Sequence, residues 1–339
     1  MTGFKGKALR FIVSVLAICL VVYSVRGKIT DSLSILRDET QWTWFVAALV
    51  AYLVALGVIA VRMQWVFKVQ DVRLNFKECY YLGFVGMFYN LFLPSSVGGD
   101  IARAFYAYKQ SGKKIESATS VLLDRLMGFV AIIIIAFIGL IMSRADSQSA
   151  YVDYCVYGAL GVLLFCIAFF SSRRFAGLFK GFSIFAPGQK WKERVAEVYN
   201  AIYGYRHHQK SVLGAIFLSF IGQSIFILSY FLIAQSLGGG IPFWKFFILI
   251  PVVTIVSMAP SIGGLGVREA STLYLFSRYL SPERALAYTL LVDMLIYSFS
   301  IGSGVLYAFR GGLKRKGMRE MEMMRPERIT EGNDPEGQI

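Results

Sequence analysis

The sequence has few of the residues and motifs on which most enzymes depend. Its two histidines, His207 and His208, lie side by side in a basic segment, and its four cysteines form no C-x-x-C pair. The nucleotide-binding pattern G-x-x-x-x-G-K-[ST] does not occur, and GLGVREA from Gly264, which approximates a dinucleotide-binding fingerprint, follows an apolar run rather than a strand. We therefore expect no catalytic residues, no metal, no cofactor and no step driven by ATP.

Charged residues are also scarce, at 17%, whereas apolar residues make up 56% of the chain. A helix needs roughly 20 apolar residues to cross a bilayer. The runs that approach or exceed this length lie at 9–25, 42–67, 117–142, 153–171, 211–236 and 285–309. The sequence therefore predicts an all-α integral membrane protein.

The net charge of +14 would suggest a nucleic-acid partner in a soluble protein, but in a membrane protein it has a simpler explanation. Lys and Arg collect in the cytoplasmic loops of such proteins. Lys5, Lys7 and Arg10 precede the first apolar run, and no small-x-small cleavage site follows it. We predict an uncleaved first span, both termini in the cytoplasm and no nucleic-acid partner; Arg62 is counted at the cytoplasmic end of the second span.

A short polar segment, LPSSVGGDIAR at 93–103, interrupts an otherwise apolar region and has a counterpart, APSIGGLGVRE at 259–269. Both contain Pro-Ser, then Gly-Gly, then an Arg four residues after the second Gly. Downstream, ATSVLLDRLMGF aligns with part of ALAYTLLVDMLIYSF, which places Asp124 beside Asp293. The sequence therefore predicts a single transmembrane domain over 1–312 built from an internal repeat, about 1–142 and 153–309, followed by a polar, disordered tail over 313–339.

The two polar segments also predict how the repeats are arranged. Apolar runs at 76–93 and 243–259 each break at the Gly-Gly motif and lead into amphipathic pieces at about 100–110 and 266–279. Such a pair of short segments is typical of a broken re-entrant hairpin. Each half then holds three spans and one hairpin, and because three is odd, the second half runs upside down. The expected fold is a pair of inverted-topology repeats.

The Gly-Gly motifs are the predicted binding site. Asp100 is a plausible N-cap, and the free backbone amides of a helix start, together with an arginine, favour an anion such as a lipid phosphate. The predicted headgroup-binding residues are Ser95, Ser96, Gly98, Gly99, Asp100, Arg103, Ser261, Gly263, Gly264, Arg268 and Glu269.

Three further charges lie in the apolar regions and need partners or water there: Asp124, Arg125 and Asp293. One interpretation is structural ion pairing, of Asp124 with Arg103 or Arg125 and of Asp293 with Arg268. The other is a polar path for a headgroup, or a protonatable carboxylate that couples transport to protons.

At this point the motifs LPSSVGGDIARAFYAYK, SVLLDRLMGFVA and APSIGGLGVREA, in this order, resemble the transmembrane domain of lysylphosphatidylglycerol synthases and the wider family of flippase-like membrane proteins. The resemblance covers about 1–312. It implies a domain of the bacterial inner membrane that moves an aminoacylated phospholipid from the inner to the outer leaflet. The soluble domain that makes this lipid is expected to be absent here, so aminoacyl transfer is not expected.

The favoured hypothesis is a translocase for a phospholipid or another phosphate-linked lipid, working by alternating access. Because no ATP-binding motif is present, the lipid would move passively, or be driven by a gradient or by consumption of the lipid in the far leaflet. A second hypothesis is a non-transporting partner that binds anionic lipid and recruits or regulates a lipid-modifying enzyme at the cytoplasmic face through the basic loop 172–210. A third, an enzyme acting on lipid phosphates, has only Ser95, Ser96, Ser261 and a few carboxylates at its disposal.

Overall fold

The computed structural model describes residues 29–92, 98–142, a few positions between 154 and 161, 208–258 and 265–309. Every regular element in these ranges is a helix, which confirms the predicted all-α class. The helices are α1 (Ile29–Ser34, continued by a π-helix over Ile35–Glu39), α2 (Trp42–Val69), α3 (Phe76–Phe92), α4 (Gly98–Ser111), α5 (Lys114–Met142), α6 (Gln209–Ser236), α7 (Phe243–Val256), α8 (Val267–Phe276) and α9 (Pro282–Phe309). The predicted span 9–25, and 153–171 apart from those few positions, lie outside the described residues.

In the part of the chain that the structure describes, four helices are long and apolar enough to cross a membrane: α2, α5, α6 and α9. At 25 to 29 residues they measure about 38–44 Å, more than the roughly 30 Å of a hydrocarbon core. On α2, Val46, Val50 and Val54 recur every four residues and each is at least half exposed. An exposed valine stripe of this kind fits contact with lipid chains, and the protein is a multi-pass membrane protein.

Local capping explains why α2 stops and α3 starts where they do. Asp71 adopts a left-handed conformation, with φ 54°, and the Val72 N–H donates to the Phe67 carbonyl at 3.1 Å. This is a Schellman motif, and the buried Phe67 and Val72 side chains supply its hydrophobic contact. Asn75 and Glu78 then accept each other's backbone N–H in a capping box that opens α3.

The ends of two later helices follow the same chemistry. α6 closes with Gly238 at φ 92° and the Gly239 N–H donating to the Ala234 carbonyl at 3.0 Å, again a Schellman motif. α9 opens at Ser281-Pro282, where the serine carbonyl accepts the Ala285 N–H and proline occupies the first helical position. The two long helices α2 and α6, which the repeat predicts to correspond, therefore terminate alike.

The chain divides into two compact units, and each draws on both halves of the sequence. The first comprises Met1–Thr40, Tyr80–Lys114 and Ile255–Ile339; the second comprises Gln41–Cys79 and Ile115–Thr254. The first unit therefore holds α4, α8, α9 and most of α3. The second holds α2, α6, and most of α5 and α7.

Within the second unit, α2 and α6 pack along their lengths through small residues. A Cβ on Gly214 would overlap the Trp65 ring, and one on Gly222 would lie 3.3 Å from Ile59. Small residues allow such close approach between helices in membranes, where contact rather than hydrophobic exclusion drives association.

Within the first unit, α9 packs against α8 and α1. The Phe276 and Tyr288 rings stack with centroids 4.2 Å apart, and both side chains are fully buried. At the surface, Arg284 pairs with Glu39 at 2.9 Å, with the two side chains 44% and 50% exposed. In this unit, α9 is thus held against α8 and against α1 with its π-helical continuation.

Candidate functional site

Helices α3 and α4, which lie on either side of the first Gly-Gly motif, touch backbone to backbone. The Gly99 N–H donates to Oδ1 of Asn90 at 2.8 Å. A Cβ on Gly99 would overlap both the Gly86 carbonyl oxygen and the Asn90 side chain. The start of α4 is therefore held directly on α3, in a contact that only glycine permits.

Arg103 lies one turn further along α4 and crosses the same surface. A Cβ on Gly86 would overlap its guanidinium. Its Nε donates to the Leu82 carbonyl at 3.3 Å, and its Nη1 lies 3.5 Å from Oδ1 of Asp100. The guanidinium is thus mostly buried between two helices, with the Asp100 carboxylate close to it.

These contacts correct two predictions about the helix start. Asp100 is not the N-cap: α4 begins at Gly98, so Asp100 lies in the first turn and its carboxylate faces Arg103. A negative charge there still stabilises the helix. The Gly99 amide, expected to face an anion, is instead occupied by Asn90.

The second Gly-Gly motif leads to a different arrangement on α8 and α9. Nη2 of Arg268 lies 2.7 Å from Oε1 of Glu269, 2.8 Å from Oδ1 of Asp293 and 3.1 Å from the Tyr297 hydroxyl. Glu269 also accepts the N–H of Gly266, whose φ of 82° suits glycine. The predicted pairing of Arg268 with Asp293 is confirmed, and it joins the short helix to the last span.

The two arginine clusters differ in charge. Among the described residues, Arg103 has one carboxylate within ion-pair distance, that of Asp100, whereas Nη2 of Arg268 has two hydrogens to donate and faces two carboxylates and one hydroxyl. A surplus carboxylate repels an anion and attracts a proton or a cation. The clusters that the repeat predicts as equivalent are therefore suited to different partners.

Asp124 is paired, but not with either of the predicted arginines. Its two oxygens accept hydrogen bonds from Nε and Nη2 of Arg62, at 2.8 and 2.9 Å, and Nη1 of Arg62 donates to Ser219 at 3.1 Å. Both charged side chains are about 5% exposed. Arg62, which was counted among the charges at the cytoplasmic end of the second span, is therefore a buried residue inside α2, about two turns before the end of the helix. The pair ties together α2, α5 and α6.

The remaining predicted residues fall into two groups. Arg125 is directed to the Phe129 ring, with its guanidinium carbon 5.6 Å from the ring centroid. The other predicted residues lie outside the described part of the chain: Ser95, Ser96, Ser261, Gly263 and Gly264.

Sequence reasoning missed four residues of these clusters: Arg62, Asn90, Ser219 and Tyr297. A signal for Arg62 existed, because it lies within the apolar run 42–67 and an arginine at that depth requires a partner. Asn90, Ser219 and Tyr297 gave no such signal, since uncharged polar residues are common in membrane helices. Their roles depend on which helix each one faces.

The backbone contact between α3 and α4 gives a direct stability prediction. Gly99→Ala is expected to destabilise the protein by about 1–3 kcal/mol, because the added carbon meets backbone that cannot move aside. Gly83→Ala is the matched control: a Cβ there has nothing within 4 Å, and alanine favours the helix by up to about 1 kcal/mol. Thermal unfolding in detergent compares the two; equal melting temperatures would show that the α3–α4 contact is looser than described.

The comparison with known families agrees with the helices and motifs above. The model of the lysylphosphatidylglycerol synthase transmembrane region matches residues 8–304. No curated protein matches the chain. Since the match covers most of the sequence, this multi-pass membrane protein belongs to the family of the lysylphosphatidylglycerol synthase transmembrane region.

Proposed function

We propose that this protein moves a lipid with a phosphate-bearing headgroup between the leaflets of the bacterial inner membrane. Membership of the lysylphosphatidylglycerol synthase transmembrane family supports a role with membrane lipids. The proposal requires only that the substrate share a phosphate and acyl chains with the lipids of that family. The headgroup would bind at the start of α4 while the acyl chains stay in the bilayer.

The observation that carries the proposal is the position of Arg103. Its guanidinium lies between two helices, and Arg103 follows the buried Gly98 and Gly99 of the helix N-terminus by about one turn. Burying a charge between largely apolar helices costs several kcal/mol unless it is compensated, and the contacts with Asp100 and the Leu82 carbonyl offset this cost. An arginine next to a helix start also suits a phosphate, since the guanidinium and the dipole act on the same anion.

The helix lengths support a re-entrant arrangement. In each described half, a long helix is followed by two short ones and then by a second long helix: α2 to α5 and α6 to α9. The short helices, at 10 to 17 residues, measure about 15–26 Å, less than the roughly 30 Å of a hydrocarbon core. We propose that each short pair enters the membrane and returns, that the halves are inverted, and that both termini are cytoplasmic.

The ion-pair clusters take separate roles in this proposal. Both oxygens of Asp124 accept hydrogen bonds from Arg62, so this pair has a structural role. Glu269 and Asp293 share one arginine, so a proton on either would still leave Arg268 a partner. Asp293 is therefore the better candidate for a coupling carboxylate.

Translocation can be measured in vesicles that carry fluorescent phosphatidylglycerol, with a membrane-impermeant quencher that reports the outer leaflet. We expect the wild-type protein to exceed protein-free vesicles, and Arg103→Ala to lower the rate about tenfold or more, because hydrogen bonds to charged groups contribute about 1.5–3 kcal/mol. Arg278→Ala is the matched control, since Arg278 pairs with Tyr274 at the exposed end of α8. Wild-type rates equal to those of empty vesicles, for anionic, zwitterionic and cationic headgroups alike, would refute the proposal.

A further inference from the structure

The Asn90 side chain contacts the start of α4, and one hydrogen bond determines its orientation. A backbone N–H can only donate, so the atom that faces Gly99 must be the amide oxygen, Oδ1. The planar amide then directs its nitrogen, Nδ2, away from Gly99. Within the described residues, that nitrogen has no acceptor, and it carries two N–H donors.

The location of these donors matches the proposed headgroup position. Nδ2 belongs to the side chain that touches Gly99, and Arg103 follows one turn later on the same face of the α3–α4 contact. In the second half, the residue nine positions before the second Gly of the motif is Ile255, which has no donor. Among the described residues, an amide donor thus lies beside an arginine with one carboxylate partner in the first half, whereas the arginine of the second half faces two carboxylates.

From this placement, we infer that Asn90 is a specificity-determining residue that donates its side-chain N–H to a phosphate oxygen of the bound lipid. The inference rests on the proposed function for the position of the headgroup. The phosphate can belong to a phospholipid or to a polyprenyl phosphate. Asn90 would thus have two tasks, holding Gly99 through its oxygen and binding phosphate through its nitrogen.

Asn90→Asp separates the two tasks. Aspartate retains an oxygen that accepts the Gly99 N–H, and its charge is favourable at a helix N-terminus, so the fold is kept. It replaces the two N–H donors by a negative charge that repels phosphate. Asn90→Leu removes both functions. The control is Asn75→Asp, the same chemical change at the N-cap of α3, where aspartate caps as well as asparagine.

The experiment measures lipid retention by native mass spectrometry and thermal stability in the same detergent, for the full chain. The probes are phosphatidylglycerol and a polyprenyl phosphate, with diacylglycerol as the comparator that lacks phosphate. We expect Asn90→Asp to melt like the wild type while it retains the preferred phosphate lipid about tenfold to a hundredfold less, with diacylglycerol unaffected. Asn90→Leu should lose both stability and retention, and Asn75→Asp neither.

In the retention and stability measurements, three results would overturn the inference: equal retention by Asn90→Asp and wild type, loss of stability by Asn90→Asp as large as that of Asn90→Leu, or no phosphate-dependent retention by the wild type. The translocation assay is independent of these readouts. If retention depends on Asn90 but vesicles show no translocation, the proposed function fails and the inference stands. If Asn90→Asp translocates phosphatidylglycerol at the wild-type rate, the inference fails and the proposed function stands.

Discussion

Replacing Arg62 by methionine is expected to lower the free energy of unfolding by about 3–5 kcal/mol, because it leaves the Asp124 carboxylate buried without its partner. The basis is the geometry of the pair: two hydrogen bonds of 2.8 and 2.9 Å between side chains that are about 5% exposed. Asp124→Leu should cost a similar amount, since it strands the guanidinium instead. Ser219→Ala should cost less, about 1 kcal/mol, because only one neutral acceptor is lost.

The double variant Arg62→Met, Asp124→Leu tests whether the loss comes from the stranded charge. Apolar side chains of similar volume often replace a buried ion pair at little cost, so the double variant should be more stable than either single one. Unfolding by denaturing detergent, followed by circular dichroism, measures all three. The exposed pair of Arg284 and Glu39 is the control, where neutralising both residues should change stability by less than about 1 kcal/mol. Additive losses in the double variant would contradict the coupling.

Substitution of Arg268 should change the stability differently from substitution of Arg62, because Arg268 pairs with two carboxylates. Arg268→Met leaves Glu269 and Asp293 side by side without a cation, and we expect a loss of about 2–4 kcal/mol, smaller than at Arg62 since this cluster is 12–15% exposed. Asp293→Asn and Glu269→Gln, taken singly, should each change stability by less than about 1 kcal/mol. Either variant leaves Arg268 one carboxylate, and glutamine can still accept the Gly266 N–H.

The same detergent unfolding measurement separates the alternatives at this cluster. Asp293→Asn in the Arg268→Met background should restore part of the stability, because one of two repelling carboxylates is removed. The double variant Glu269→Gln, Asp293→Asn should be as unstable as Arg268→Met, since it strands the guanidinium. If Asp293→Asn alone proves as damaging as Arg268→Met, then Asp293 and Arg268 form an exclusive pair and Glu269 does not share the arginine.

Much of the fold could be predicted from the sequence because it depends on local patterns. The apolar runs 42–67, 117–142, 211–236 and 285–309 are described helices to within a few residues at each end. The short segments on either side of each Gly-Gly motif are helices as well, and the broken hairpins and their inversion stay predictions. The family could be recognised for the same reason, since its motifs are continuous in sequence.

The partner of a charged residue could be predicted only where both members of the ion pair lie on consecutive helices joined by a short loop. Arg268 and Asp293 meet that condition, and their pairing is confirmed. Asp124 does not pair in the way its repeat counterpart does. Both of its oxygens accept hydrogen bonds from Arg62, which lies on a helix much earlier in the chain. Asp124 is therefore paired without Arg103 or Arg125.

By itself, then, the sequence determined the membrane class, the long helices and the family, because each depends on hydrophobic length or on a continuous motif. The tertiary structure decided which charges meet: Arg62 with Asp124 and Ser219, Arg268 with two carboxylates, and Asn90 with the Gly99 amide. The physical reason is that a buried polar group must be satisfied by whatever donor or acceptor packing brings within about 3 Å. Residues far apart in the chain supply those groups, and their spacing in the sequence does not reveal them.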